Sequence, residues 1–175
     1  MRPVFTTAMA RERGLTPAML MTGARRGEWR RIEKGIWVEG PHPPSRFDRA
    51  VGAVVRSGGV ASGGLAGVLH DLDSVTLGAP PHVTAPLGRV THRPGVRHLW
   101  LPPERIVTVA GIPCTDGLQT LVDLAPVLDD PIWEQALESG LRKQIVTISQ
   151  LEEALPRLSR GRIPGTRRIR RVLLL

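Results

Sequence analysis

The sequence predicts an α+β fold, and three observations lead to it. Two capped helical segments joined by a short turn lie near the N-terminus, and a basic hairpin pattern follows them. In the remainder, short strand-like runs come first and helical runs gather toward the C-terminus, which is the order expected of an α+β domain. We divide the 175 residues into an N-terminal unit at 1–40, a small mixed α+β domain at 41–156 and a basic segment at 157–175.

The composition is that of a globular protein, with 41% hydrophobic and 23% charged residues. The single cysteine, Cys114, excludes an intramolecular disulfide and a cysteine-based zinc site. The first residues carry charges where a signal peptide needs an apolar run, and no stretch of 18 uncharged apolar residues occurs. We therefore expect a cytoplasmic protein without a membrane partner.

The net charge of +8 is unevenly distributed. Residues 1–40 carry +4, residues 41–156 carry −3 and residues 157–175 carry +7. Charge blocks at chain ends often serve as interaction segments, so a polyanionic partner is expected. For the C-terminal block, a solvated tail and the start of a further domain both remain open.

The N-terminal unit begins with two predicted helices. Thr6 or Thr7 caps a first helix that ends before Gly14. Thr16 caps a second helix with Pro17 at its first position, and this helix ends at Gly27. Only Gly14 and Leu15 separate the two predicted helices, which is the length of the turn in a helix-turn-helix.

A hairpin pattern follows, in which residues 29–32 and 36–38 are aromatic or β-branched runs joined by three residues ending in glycine. Helix-turn-helix plus a basic hairpin is the layout of a winged helix-turn-helix, whose second helix enters the major groove of DNA. The apolar run 18–21 at the start of that helix serves hydrogen-bonded base reading poorly, so backbone affinity should dominate. An ordinary α+β subdomain with solvated arginines is the other interpretation. The predicted DNA-binding residues are Thr16, Ala18, Thr22, Arg25, Arg26, Arg30, Arg31 and Lys34.

The C-terminal block predicts a secondary basic strip that binds phosphates. Alternatively, its charges only keep the apolar residues 172–175 soluble. The strip comprises Arg160, Arg162, Arg167, Arg168, Arg170 and Arg171.

The middle of the chain is predicted to be scaffold. Ser45 caps a helix that runs through about Arg56. Strands are predicted at 83–85, 96–101 and 106–109, and Thr115 is predicted to cap a helix that runs to 125. Two more helices are expected, from Asp129 or Asp130 to about 142 and from about 147 onward.

The sequence predicts no enzyme, metal site or cofactor. His70, Asp71 and Asp73 lie together, but no further ligand is near them in the sequence. Cys114 precedes a predicted helix start, which can lower a thiol pKa, but no partner base is identifiable. The glycine pairs 58–59 and 63–64 lack the following Lys-Ser/Thr of a phosphate-binding loop.

Motifs along nearly the whole chain carry a resemblance to a known family. They are Gly14-Leu15-Thr16, Arg25-Arg26-Gly27, Lys34-Gly35-Ile36-Trp37, Leu69-His70-Asp71-Leu72, His82-Val83-Thr84-Ala85-Pro86, Gly111-Ile112-Pro113-Cys114-Thr115 and Thr120-Leu121-Val122-Asp123-Leu124-Ala125. In this order and spacing they resemble the AbiEi-type antitoxins of type IV toxin–antitoxin systems.

The resemblance implies a transcriptional regulator whose winged helix binds operator DNA, with a homodimer expected from paired half-sites. It also implies that the remainder counteracts a nucleotidyltransferase toxin. Actinobacterial relatives often carry a further C-terminal nuclease domain of the very-short-patch-repair type, and residues 1–175 contain no recognisable catalytic array for it. Two alternatives stay open: the targeting portion of such an endonuclease, and a protein-interaction module that does not bind DNA.

Overall fold

The computed structural model describes residues 1–85, 94–98, 100–160 and 166–174, and it confirms the mixed α+β architecture. The strands in this part are β1 Val4–Thr6, β2 Trp29–Glu33, β3 Ile36–Glu39, β4 Val60–Ala61, β5 Val83–Ala85, β6 Val96–His98, β7 Ile106–Val109 and β8 Ile112–Thr115. The helices are α1 Thr7–Glu12, α2 Pro17–Arg26, α3 Arg46–Ser57, α4 Gly63–Leu69, α5 Gly117–Leu124, α6 Asp130–Arg142, α7 Ile148–Arg160 and α8 Thr166–Leu173, with a 3-10 turn at Pro103–Arg105.

The caps predicted for the first two helices are confirmed. The hydroxyl oxygen of Thr6 accepts a hydrogen bond from the Met9 amide at 3.0 Å, and that of Thr16 accepts one from the Met19 amide at 3.2 Å. Gly27 ends α2 with a φ of 79°, a left-handed conformation that glycine adopts without strain.

The predicted hairpin of β2 and β3 belongs to a three-stranded sheet. β1 pairs antiparallel with β3 in the strand order β1-β3-β2, and Phe5 lies opposite Trp37. One face of this sheet packs on α1 and α2, where Phe5 and Trp37 join Ala10 and Leu20 in a buried cluster. The other face packs on α3. The sheet is therefore the central layer between two helical layers.

α3 is tied to the N-terminal residues by a buried carboxylate. The hydroxyl of Ser45 accepts from the Asp48 amide, and the Asp48 carboxylate accepts from the amide of Ser45, which is a capping box. Arg2 forms an ion pair with the same carboxylate. Burial alone would raise the pKa of Asp48, but the hydrogen bonds from Ser45 and the guanidinium of Arg2 hold it below its usual value. The domain division at residue 40 stays a prediction.

The second sheet has five strands in the order β6-β5-β4-β8-β7. β4 runs parallel to β8 and β5 runs parallel to β6, whereas the remaining pairs are antiparallel. The strand predicted at 96–101 is shorter, since it ends at His98. The predicted strand at 106–109 is confirmed as β7.

The predicted cap of α5 was wrong by one residue. Thr115 is the last residue of β8, and its buried hydroxyl bonds the Thr120 hydroxyl at 2.7 Å. The carboxylate of Asp116 is the cap, because it accepts from the Gln119 amide at 2.7 Å. β8 itself was not predicted.

Helices α5 to α8 enclose the largest apolar cluster of the described residues. Trp133 of α6 is fully buried there, and its indole N–H donates to the Leu121 carbonyl at 2.9 Å. Leu151 of α7 and Ile169 of α8 are 1% exposed within the same cluster, so the basic helix α8 is packed on the core. Among the described ranges, no helix is long and apolar enough to cross a membrane.

A substitution at Gly23 tests how closely α2 and β2 approach. A side chain at this position would overlap the indole ring of Trp29. We expect Gly23→Val to lower the free energy of unfolding by about 3 kcal/mol. Overpacking a closely packed site typically costs about 1–3 kcal/mol, and valine places two methyl groups beyond a Cβ atom that already overlaps the ring. Denaturant titration measures the difference. The neighbouring exposed substitution Thr22→Val is the control, and equal stability of the two variants would contradict the close packing.

Candidate nucleic-acid interface

The exposed face of α2 is formed by residues spaced three and four apart. Ala18, Met21, Thr22 and Arg25 are all exposed and share one side of the helix, whereas Leu20 and Gly23 are buried on the other side. Met21 is 51% exposed although it is apolar. Thr16 lies at the start of the same helix, where its hydroxyl oxygen already serves as the cap. This face offers methyl groups, one hydroxyl and the guanidinium group of Arg25 to a partner.

Two arginines end α2. Arg25 and Arg26 are exposed in its last turn, and neither guanidinium group has a hydrogen bond or ion pair to any residue in the described ranges. A cation in the last turn of a helix interacts favourably with the helix dipole, so part of their role is structural. Their guanidinium groups nevertheless remain available to an anionic partner.

The two arginines of β2 have different surroundings. The guanidinium of Arg30 donates to the Pro41 carbonyl at 2.8 Å and to the Ala24 carbonyl at 3.2 Å, so it holds the end of α2 to the chain that follows β3. The guanidinium of Arg31 lies 6.0 Å from the centroid of the Trp37 ring and is exposed. Sequence reasoning placed both residues on one phosphate-binding surface. In the fold, Arg30 is half-buried and already bonded.

Arg31 and α2 lie on the same side of the three-stranded sheet. Side chains alternate along a strand, so Arg31 shares a face of β2 with Trp29. Trp29 packs on α2: its ring lies against Gly23, and its indole N–H donates to the Leu20 carbonyl at 2.7 Å. The ring also meets Phe5 edge-on, with centroids 6.0 Å apart. These contacts fix the hairpin relative to α2.

A residue of α3, on the sheet face opposite α2, binds the hairpin turn, and the sequence analysis did not identify it as a site residue. Arg56, near the end of α3, forms an ion pair with Glu33 and donates to the Lys34 carbonyl at 2.8 Å. The Lys34 side chain is exposed at the turn. An arginine eleven residues into a helix gives no local sequence signal for this contact, because only the tertiary packing brings α3 to the turn.

The arginines of the predicted C-terminal basic strip fall into two groups, those paired with acidic residues of α6 and those that are not. Arg168 pairs with Asp130 at 2.6 Å and also donates to the carbonyls of Ala125 and Leu128. Arg171 pairs with Asp130 and Glu134 at 2.9 and 2.6 Å. These two side chains hold α8 to the start of α6.

The remaining members of the strip are less engaged. Arg170 donates to the Ser159 hydroxyl at 2.9 Å, and Arg160 makes a long bond of 3.4 Å to the Pro156 carbonyl. Arg167 is exposed. Arg162 lies outside the described residues. The exposed guanidinium groups best placed for a partner on this strip are those of Arg167 and Arg170.

The acidic residues near His70 are neutralised by cations. Asp71 pairs with Lys143 at 2.8 Å, and Asp73 pairs with Arg142 at 2.7 Å. The hydrogen bond from Arg142, supported by one from Ser139, lowers the pKa of Asp73 to about 2. Within the described ranges, no group of three histidine, cysteine or acidic side chains is arranged to hold a metal ion.

Cys114 is an internal residue of β8. Its thiol is fully buried, and the Sγ atom lies 3.6 Å from Nε2 of His70. That nitrogen donates to the Thr115 carbonyl at 2.7 Å, so it carries the proton and cannot accept one from the thiol. The contact therefore lacks the arrangement of a nucleophile and its base.

Comparison with known proteins adds no family assignment, since no family model and no curated protein matches this sequence.

The reactivity of Cys114 gives a pH-dependent prediction. Burial, with a smaller contribution from Asp116, raises the pKa of the thiol to about 12. Because the thiolate is the reactive species, the native protein should leave a disulfide reagent such as DTNB unreacted at pH 8 for hours. The same protein in denaturant should react within minutes with one equivalent. Rapid reaction of the native protein at pH 8 would show that the thiol is accessible and ionisable.

Proposed function

We propose that the N-terminal unit is a winged helix-turn-helix that binds double-stranded DNA through α2 and the β2–β3 hairpin. The element order β1-α1-α2-β2-β3 and the sheet order β1-β3-β2 support this proposal, because they put a helix pair before a basic hairpin. The observation that carries it is the pair Arg25 and Arg26, which are exposed at the end of α2 beside the hairpin and whose guanidinium groups bond to none of the described residues.

Phosphate contacts would supply most of the affinity. Arg25, Arg26, Arg31 and Lys34 present exposed charges on the two elements, and each charge that reaches a phosphate releases bound counterions. Arg30 would then support the site by positioning α2. The face of α2 is largely apolar, so base reading would depend on contact with thymine methyl groups and on Thr22.

We extend the proposal to an antitoxin-type transcriptional regulator acting in the cytoplasm. The support is the order of sequence motifs that resembles the AbiEi-type antitoxins. In this account a homodimer occupies two operator half-sites, and residues 41–156 counteract a nucleotidyltransferase toxin. Co-expression with a nucleotidyltransferase toxin of a type IV system tests this extension, since growth should be restored only when this chain is present.

The double substitution Arg25→Ala with Arg26→Ala tests the phosphate contacts. It should weaken binding to every duplex alike and make the plot of log Kd against log salt less steep by about two units, because two counterion-releasing contacts are lost. Fluorescence anisotropy with a labelled duplex at several salt concentrations measures both effects.

The matched control is Arg142→Ala with Lys143→Ala, which removes two charges at the C-terminal end of α6 that are already paired with Asp73 and Asp71. It should leave the salt dependence unchanged. An affinity loss confined to one DNA sequence in the Arg25 and Arg26 variant would instead assign these arginines to base reading.

Substitutions at Ala18 and Thr22 test the orientation of α2. Thr22→Ala or Ala18→Gln should change the sequence preference more than the affinity for random DNA, since both side chains project from the exposed face near its N-terminal half. Selection from a randomised duplex library before and after substitution measures the preference. An equal loss on selected and random DNA would contradict the assignment of this face to base edges.

A further inference from the structure

A groove separates α3 from the segment that leads into β5. Its volume is about 690 Å³, within the usual range for small-molecule sites. α3 forms one wall, and residues 77–81 with Pro94 and Val96 form the other. Ile32 and Glu33 of the hairpin close one end. The groove therefore adjoins the proposed DNA-binding unit on the sheet face opposite α2.

The α3 wall combines small apolar residues with arginines. Arg46, Arg49, Ala50, Ala53 and Arg56 line the groove, and their spacing places them along one side of the helix. Ala50 is buried and Ala53 is half-buried, so they leave room above the helix surface. Arg49 and Arg56 are seven residues apart, which is about 10 Å along the helix axis.

Among the residues that the structure describes, the opposite wall offers few hydrogen-bond donors. Pro80, Pro81 and Pro94 have no backbone N–H, and Leu77 and Val96 are apolar. A sugar or a nucleotide base lying against this wall would leave polar groups unpaired, at a cost in free energy for each group. The wall therefore suits an apolar ligand body.

Two of the three arginines are already bonded. Arg46 donates to the Leu77 carbonyl at 3.1 Å and so joins the two walls, while Arg56 is bonded to Glu33 and to the Lys34 carbonyl. Arg49 lies between them and is exposed, and its guanidinium group has no hydrogen bond or ion pair to any residue the structure describes. Its guanidinium is thus available to a carboxylate, which arginine binds with two parallel hydrogen bonds.

We propose that this groove binds a small apolar monocarboxylate. The carboxylate pairs with Arg49, and the apolar body lies over Ala50 and Ala53 against Leu77 and the prolines. The positive rim attracts one anionic group, and the apolar walls favour a hydrocarbon or aromatic body over a polar one. The test of this ligand site does not require DNA, so its failure can be distinguished from a failure of the proposed DNA binding.

Isothermal titration calorimetry of the full chain tests the proposal with sodium octanoate as the probe and 1-octanol as the uncharged comparison. Octanoate should bind with a negative heat-capacity change, because apolar surface is buried. 1-Octanol should bind about tenfold more weakly, since it lacks the charge-assisted hydrogen bonds to Arg49. Equal affinity for the two probes, or no octanoate binding, would overturn the proposal.

Three variants locate the site. Arg49→Gln should weaken octanoate binding about tenfold, and its exposed position on α3 leaves the fold intact. Ala53→Phe should abolish binding by filling the groove, with thermal melting as the check on folding. Arg157→Gln, an exposed arginine on α7 away from the groove, is the control and should bind octanoate as the unmodified chain does. Unchanged octanoate binding in Arg49→Gln, with or without a loss of DNA affinity, would refute the assignment of this arginine.

Discussion

The packing of Trp29 against Gly23 determines the relation between α2 and the hairpin, and the proposed interface depends on it. The absence of a side chain at Gly23 lets the indole ring approach the helix backbone, and the indole N–H is bonded to the Leu20 carbonyl. Alternation along β2 then puts Arg31 on the same side of the sheet as α2. A larger residue at position 23 would move α2 away from the hairpin. The cations of α2 would then lie farther from those of the hairpin.

Charge counting alone could not identify the available cations in this arginine-rich chain. Some arginines stabilise the fold by donating to backbone carbonyls or carboxylates of a neighbouring element. They are Arg30, Arg56 and Arg168. Arg25, Arg26 and Arg49 are exposed without such bonds to the described residues. The geometry therefore divides structural arginines from those that remain available to an anionic partner, and both proposed sites rest on the second group.

The features predicted correctly from the sequence are local ones. Helix caps at Thr6 and Thr16, the glycine stop at Gly27 and the hairpin each depend on a few adjacent residues whose backbone preferences agree. β1 was missed because a strand of three residues is stabilised by a partner distant in sequence, namely β3. β8 pairs with the distant strand β4 and also with β7, which ends only two residues before it, so the β7–β8 hairpin is a local feature that the sequence prediction missed. The bonds of Arg30 and the groove beside α3 are likewise set by tertiary packing, for which a single sequence has no local pattern.

The salt dependence of DNA binding by the unmodified chain tests the central claim most directly, namely that α2 and the hairpin bind the duplex backbone as one surface. Four exposed cations on these elements predict a slope of log affinity against log salt of about −4, nearly equal for different sequences. Anisotropy titrations with two unrelated duplexes between low and moderate salt measure it. Absent binding, or binding that does not change with salt, would contradict the account.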